Sequence, residues 1–163
     1  MPNAAWHGEG HLCYEDRICG GGSETDMGEI RVKVLLTNSV DEALHRRKKL
    51  KKSAVRSYEA DAMVDTGAVR SIIPAHVMEA LGLMSRGNRV ADYADGRTEV
   101  VAITEPIVFA VMGRDTLEEA LVLGAEVLIG QTVLAKLDFL PDCASRRLVA
   151  NPAHPDQPVS KLK

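Results

Sequence analysis

The sequence lacks the features that define several large classes of proteins. It has three cysteines among 163 residues, aromatic residues make up 4% of it, and no apolar run is long enough to cross a bilayer. A net charge of −3 gives no global electrostatic reason to expect nucleic-acid binding. The odd cysteine count fits a reduced protein better than a disulfide framework, and the chain does not open on a secretory signal. We therefore expect a cytoplasmic protein without membrane or nucleic-acid partners.

The first 26 residues show no hydrophobic periodicity and contain a Gly-Gly-Gly-Ser break. Such a segment buries little surface, so residues 1–26 are expected to form a disordered leader. Four potential metal ligands lie in it: His7, His11, Cys13 and Cys19. Their spacing matches structural zinc sites poorly, and we expect no metal there. Residues 27–152 carry the patterned segments of one domain, and residues 153–163 form a polar, proline-containing tail.

Short strand-like runs dominate the chain after the leader. Residues 28–38 alternate apolar and polar side chains, which is typical of a half-buried strand. Residues 88–101 predict a β-hairpin, because Asp95-Gly96 is a strong turn signal. Short helices are predicted after Pro74 and over residues 131–137. This pattern predicts a mostly β domain with a closed, barrel-like or sandwich core.

A basic segment interrupts the strand pattern. Residues 45–57 contain seven lysines or arginines and no interleaved aromatic residue. We expect a solvated loop or helix face, because charge runs of this kind usually face water. A contact with anions or nucleic acid is the alternative, although the missing aromatics argue against single-strand binding.

The most informative stretch is Asp65-Thr66-Gly67, which follows the apolar run ADAMV. On an extended strand Asp61 and Asp65 share one face, and Gly67 permits a sharp turn beyond Thr66. A plain turn is one interpretation of these residues. The other is a loop that holds the Asp65 carboxylate in a fixed direction, with backbone amides close to it.

Peptide hydrolysis would require a second carboxylate beside the first. One carboxylate must take a proton from water while the other gives one, and two neighbouring aspartates divide these roles by sharing a proton. The chain contains a single Asp-Thr-Gly, so the second aspartate would come from a symmetry-related copy. Further along lie a hairpin with Tyr93 beside its turn and the run Val-Leu-Ile-Gly before the helix at 131–137.

In this order and spacing the sequence resembles the retropepsin-like aspartic proteases, which include the retroviral proteases, and in particular their small bacterial members. The resemblance covers residues 28–152. It implies a retropepsin-like acid-protease fold with a short helix after the apolar-apolar-Gly element. It also implies a homodimeric aspartic endopeptidase that acts on peptide or protein substrates without metal or cofactor.

The resemblance implies roles for individual residues. It implies that Asp65 is the catalytic aspartate. The supporting active-site loop would comprise Thr66, Gly67 and Ala68. A flap over the substrate would comprise Tyr93, Ala94, Asp95, Gly96 and Arg97. The elements that brace the active-site loop would be Leu128, Ile129 and Gly130.

Three features depart from the family pattern. Gln131 stands where retroviral members usually carry Arg or Asn, and the basic segment 45–57 is longer than a minimal enzyme needs. The prolines near the C-terminus cannot donate to a central ladder, so a terminal dimer sheet would be built differently. The alternative function is a catalytically weak retropepsin-fold module that dimerises or binds peptides.

Overall fold

The structure is a computed structural model that describes residues 28–160 and residue 162. The expectations of a disordered leader at 1–26 and of no metal at its histidines and cysteines therefore lie outside the described residues. The elements within the described range, in chain order, are β1 (Ile30–Asn38), α1 (Ser39–Arg46), β2 (Ser57–Val64), β3 (Ile72–Ile73), α2 (Ala75–Ala80), β4 (Ser85–Asp92), β5 (Thr98–Thr104), β6 (Ile107–Val111), β7 (Arg114–Glu118), β8 (Leu121–Val122), β9 (Leu128–Ile129), α3 (Gln131–Leu137), β10 (Phe139–Asp142) and β11 (Arg147–Ala150).

Nine of these strands form one sheet that curls into a half-barrel. Its order is β4-β5-β8-β3-β9-β2-β1-β6-β7, so β4 and β7 are its edges. Most pairs are antiparallel, but β2 pairs with β9 and β3 pairs with β8 in parallel. β10 and β11 form a separate two-stranded sheet. The prediction of a mostly β domain with a short helix directly after Gly130 is confirmed.

The core lies between the central strands and helices α2 and α3. In β1, Val34 and Leu36 are fully buried while Lys33 and Leu35 are exposed, which is the alternation that the sequence predicts for this strand. The remaining core side chains come mainly from β6, α2 and α3: Ile107, Phe109, Val77, Leu81, Val133, Leu134 and Leu137. The sheet and helix α3 are therefore packed into one body, and this body positions the Asp65 loop.

Helix α1 lies mostly before the basic segment and includes only its first two residues, His45 and Arg46. Asn38 ends β1 and begins the helix, because its Oδ1 accepts hydrogen bonds from the amides of Val40 (2.9 Å) and Asp41 (3.1 Å). The Asn38 side-chain amide also donates to the carbonyl of Leu81 at 2.8 Å. This buried asparagine joins β1, α1 and the end of α2.

Part of the polar tail contacts the end of α3. Asp138 accepts hydrogen bonds from the side chain of Asn151 (2.9 Å) and pairs with His154 (2.6 Å). These contacts hold the pKa of the Asp138 carboxyl below its ordinary value, despite partial burial. Arg114 donates to the carbonyls of Leu137 and His154, so residues up to 155 lie against the domain.

Two observations bear on the expected cellular environment. None of the described helices is both long enough and apolar enough to cross a membrane. Cys143 is disulfide-bonded, which differs from the fully reduced state that the odd cysteine count predicts. The other two cysteines lie outside the described residues. The cytoplasmic location stays a prediction from the sequence.

Candidate active site

Asp65 lies directly beyond the last residue of β2, where β9 runs alongside in parallel. Met63 is paired with Leu128 in this register. The Met63 amide donates to the carbonyl of Val127 and the Asp65 amide to the carbonyl of Ile129, both at 3.0 Å. Because β9 is fixed in the middle of the sheet, these bonds fix the point at which the Asp65 side chain leaves the backbone.

The Asp65 carboxylate is held by the turn that follows it. The Gly67 amide donates to Asp65 Oδ1 at 2.8 Å. A Cβ atom at residue 67 would lie 3.2 Å from the same oxygen, which is a tight contact. A glycine at this position avoids it. Asp65 is half-buried and Thr66 is exposed. Within the described part of the chain, Asp65 Oδ2 accepts no hydrogen bond. The Thr66 hydroxyl has no hydrogen-bond partner there either.

The far side of the loop is bonded to the N-terminus of α3. The Gln131 amide donates to the carbonyl of Ala68 at 2.8 Å, and the Thr132 amide donates to that of Val69 at 3.1 Å. The first amides of a helix have no partner inside the helix, so they are available for such contacts. The loop carbonyls thus accept hydrogen bonds from the first two amides of α3, and the same bonds hold the loop in place.

Gly130 packs directly against the backbone of Arg70 and Ser71. A Cβ atom at residue 130 would lie 2.5 Å from the carbonyl carbon and oxygen of Arg70 and 2.8 Å from the Ser71 nitrogen. The Gly130 amide donates to the fully buried Ser71 hydroxyl at 3.0 Å. Sequence reasoning missed Ser71, whose signal is a small polar residue directly before the apolar pair Ile72-Ile73. A buried hydroxyl in such a run needs a hydrogen-bond partner.

An ion-pair network continues from the loop to the sheet edge and α3. The Arg70 guanidinium lies 3.7 Å from Glu118 and 3.5 Å from Glu119. Lys136 of α3 pairs with Glu118 at 2.5 Å and also donates to the carbonyl of Leu117. Side-chain contacts therefore add to the backbone bonds that fix the segment after Asp65.

The predicted flap residues lie at the tip of the β4–β5 hairpin. The Tyr93 amide donates to the carbonyl of Arg97 (2.8 Å), and the Gly96 amide donates to that of Tyr93 (2.9 Å). Arg97 also pairs with Asp95 at 2.6 Å, and its bonds lower the pKa of the Asp95 carboxyl. The Tyr93 hydroxyl donates to Glu99 at 2.9 Å, which raises the pKa of the tyrosine.

The structure does not bring this tip into hydrogen-bonding contact with the Asp65 loop among the residues it describes. Elsewhere among the described residues lie two surface cavities of about 700 and 250 Å³, and Asp65 lines neither of them. Within residues 28–160 no cluster of three or more histidine, cysteine or acidic side chains is arranged to hold a metal ion. Asp65 is half-buried and lies outside both of these cavities.

Comparison with known proteins finds similarity only among solved structures. No protein-family model and no curated protein matches the chain. The EIAV protease complexed with the inhibitor HBY-793 is 16% identical, with a TM-score of 0.47, over 65% of this chain and 85% of that chain. The foamy viral protease–reverse transcriptase in complex with an RNA/DNA hybrid is 18% identical, with a TM-score of 0.44. That match covers 66% of this chain and 12% of the viral chain, and at such values neither match supports a functional conclusion.

Proposed function

We propose that the protein is a retropepsin-like aspartic endopeptidase in which the Asp65 carboxylates of two identical chains form the catalytic pair. The observation that carries the proposal is the fixed position of Asp65. Its amide is bonded to Ile129, its Oδ1 is bonded to Gly67, and its Oδ2 is unengaged among the described residues. A carboxylate that is oriented in this way, with one oxygen available, is suited to handle a proton.

The second carboxylate has to come from another copy of the chain. The chain has one Asp-Thr-Gly, and the structure gives Asp65 no carboxylate partner among its described residues. Asp61 lies on the same face of β2 but four residues away, and its side chain is exposed. A two-fold axis beside the Asp65 loop would bring the two Asp65 side chains together. The exposed Thr66 hydroxyl would then bond across to the partner's loop.

The pair would hydrolyse a peptide bond with a single shared proton. The ionised carboxylate takes a proton from water, and the water oxygen attacks the carbonyl carbon while the protonated carboxyl gives its proton to the carbonyl oxygen. The carboxyl that took the water proton then gives it to the amide nitrogen, the other carboxylate takes a proton back from a hydroxyl of the tetrahedral intermediate, and the C–N bond breaks. The products are a carboxylic acid and an amine, and the two aspartates return to their starting state.

The β4–β5 hairpin would cover the substrate as a flap, and Leu128, Ile129 and Gly130 would brace the loop beneath it. The cross-strand pair Val90 and Val100 on the hairpin is 65% and 67% exposed, which supplies apolar surface for peptide side chains. Closing the hairpin would exclude water from the reacting carboxylates. The contacts of the tip are local, so the tip can move while the base of the hairpin stays paired with β8.

The test is a cleavage screen with a peptide library, read by mass spectrometry, on the unaltered protein and on Asp65→Asn. We expect cleavage that a statine-containing peptide inhibits, and an Asp65→Asn protein that keeps its dimer and its melting temperature but cleaves nothing. Activity per subunit should also fall when the protein is diluted below the dissociation range of the dimer. Equal cleavage by both proteins would refute the proposal. Peptide binding without cleavage by either protein would indicate the binding module instead.

A further inference from the structure

Helix α1 packs on the domain through a polar side. Asp41 is 5% exposed and accepts hydrogen bonds from the Arg56 side chain at 2.7 and 2.8 Å and from the Arg56 amide at 3.0 Å. The Ser39 hydroxyl donates to the carbonyl of Pro106 at 2.5 Å. Together with the Asn38 cap, these contacts fix the orientation of the helix on the domain.

The outward side of the same helix is apolar, which inverts the usual arrangement of a surface helix. Val40 and Leu44, one turn apart, are 49% and 36% exposed, and Ala43 lies beside them. With Pro106 and Leu117 they line a surface cavity of about 700 Å³, which we call the α1 cleft. Exposed apolar surface in a preformed hollow is typical of a binding site for another molecule.

One end of the α1 cleft is strongly cationic. Arg47 lines the cleft, and residues 47–52, which we call the basic loop, add four lysines. All five cations are exposed, and no carboxylate of the described chain lies within ion-pairing distance of any of them. The Lys49 amide donates to the carbonyl of Leu44 at 2.8 Å, so the loop is bonded to the helix that forms the cleft wall.

The opposite wall of the cleft carries balanced charge. Glu118 and Glu119 line it, but Arg70 lies near both carboxylates and Lys136 pairs with Glu118. The positive potential of the α1 cleft is therefore confined to the end that the basic loop forms. A matching ligand would have an apolar part and an acidic part, side by side.

We propose that the α1 cleft and the basic loop bind a short acidic segment of another protein, whose apolar side chains fill the cleft and whose carboxylates face the loop. A nucleic-acid strand lacks aliphatic side chains for the cleft, and the loop offers no aromatic residue on which bases could stack. A bilayer surface is too flat to fill a concave site between α1 and β7. The site goes beyond the proposed peptidase and does not require Asp65.

The experiment selects binders from a displayed library of random 12-residue peptides, using the full-length Asp65→Asn protein so that no peptide is cleaved. We expect enriched peptides that combine acidic with apolar residues. Their affinity, measured by fluorescence anisotropy, should fall about tenfold or more in Leu44→Asp, which removes an apolar contact in the cleft, and in the double variant Lys48→Glu/Lys49→Glu, which reverses the charge that faces the peptide carboxylates. Two matched controls lie outside the site, Met112→Asp and Lys33→Glu, and they should bind within about twofold of the parent.

Several outcomes would overturn this proposal. They include enriched peptides without acidic residues, peptides that bind Leu44→Asp as tightly as the parent, and no enrichment by a protein whose circular dichroism is native. Binding of a random oligonucleotide or of phosphatidylserine vesicles, in the absence of any enriched peptide, would assign the basic loop to a different ligand. Cleavage of short peptides that do not reach the cleft should be unchanged in Leu44→Asp with Asp65 intact, so failure of this site is distinguishable from failure of the peptidase.

Discussion

The Asp65 loop and the β4–β5 hairpin tip are both turns after a strand, but they are held in opposite ways. The loop is bonded to residues about sixty positions away, through the contacts of Ala68, Val69 and Ser71 with the start of α3. Within the part of the chain that the structure describes, the hydrogen bonds of the tip stay within residues 93–99 and involve Asp95, Arg97 and Glu99. The difference predicts that the Asp65 loop is the more rigid region, which positions a carboxylate, and that the hairpin tip is the more mobile one.

The comparison is tested most severely by adding one methyl group to each region. Gly130→Ala should lower the free energy of unfolding by about 3 kcal/mol, because its Cβ would meet backbone atoms of Arg70 and Ser71 that cannot move independently. Gly96→Ala at the tip has open space around it and should cost about 1 kcal/mol, from its positive φ of 83° alone. Urea denaturation of both variants measures the difference. Equal losses would contradict the distinction.

Asp41 and Asp95 both have a lowered carboxyl pKa, but we expect only the buried Asp41 to contribute much to stability. Asp41 is buried, and the side-chain hydrogen bonds from Arg56 hold its pKa below the ordinary value of 3.8. Asp41→Asn should therefore cost about 2 kcal/mol at neutral pH. Asp95→Asn, at an exposed tip, should leave the melting temperature nearly unchanged, because exposed ion pairs contribute little.

The pH dependence of stability gives the sign of the Asp41 effect. A carboxyl whose pKa is lower in the folded state stabilises fully above its unfolded pKa, and this stability is lost as the pH falls through the folded pKa. The parent should therefore lose more stability than Asp41→Asn between neutral pH and values below 3.8. Thermal melts across that range measure it. Parallel curves for the two proteins would show that the Arg56 pair is not linked to folding.

Removal of one buried hydroxyl should have a smaller effect. Ser71→Ala leaves the buried Gly130 amide without its acceptor, and we expect a loss of about 1.5 kcal/mol and slower peptide cleavage. Ser85→Ala is the matched control, because Ser85 is exposed at the base of the hairpin. Its stability should stay within about 0.5 kcal/mol of the parent. If Ser71→Ala changes neither stability nor cleavage, Ser71 does not support the loop.

The smallest effect concerns local opening rather than global stability. Amides of Gly96 and Arg97 at the tip should exchange with solvent much faster than those of Gln131 and Thr132, whose acceptors lie in the Asp65 loop. Hydrogen exchange followed by NMR gives both rates in one sample. Binding of a statine peptide should slow exchange at the tip. Unchanged exchange with saturating inhibitor would argue against a flap.

The features that the sequence predicts correctly are the local ones. The alternation in β1, the Asp95-Gly96 hairpin and the helix at Gln131–Leu137 each depend on residues close together in the chain, and all are confirmed. Helix α1 is not among the elements predicted from the sequence, and no local pattern specifies that its apolar side faces outward while Asp41 is buried. The parallel pairing of β2 with β9 and the bond between Gly130 and Ser71 depend on distant segments, which no local pattern specifies.

The central claim is that two Asp65 side chains form one catalytic site, and mixing tests it most directly. Unaltered protein at fixed concentration is allowed to exchange subunits with increasing amounts of Asp65→Asn, and peptide cleavage is measured after equilibration. If each site needs both carboxylates, unaltered subunits are drawn into inactive mixed dimers, and the cleavage rate falls toward zero as the variant reaches large excess. A rate that stays constant while subunits demonstrably exchange would contradict the account, because a single Asp65 would then suffice.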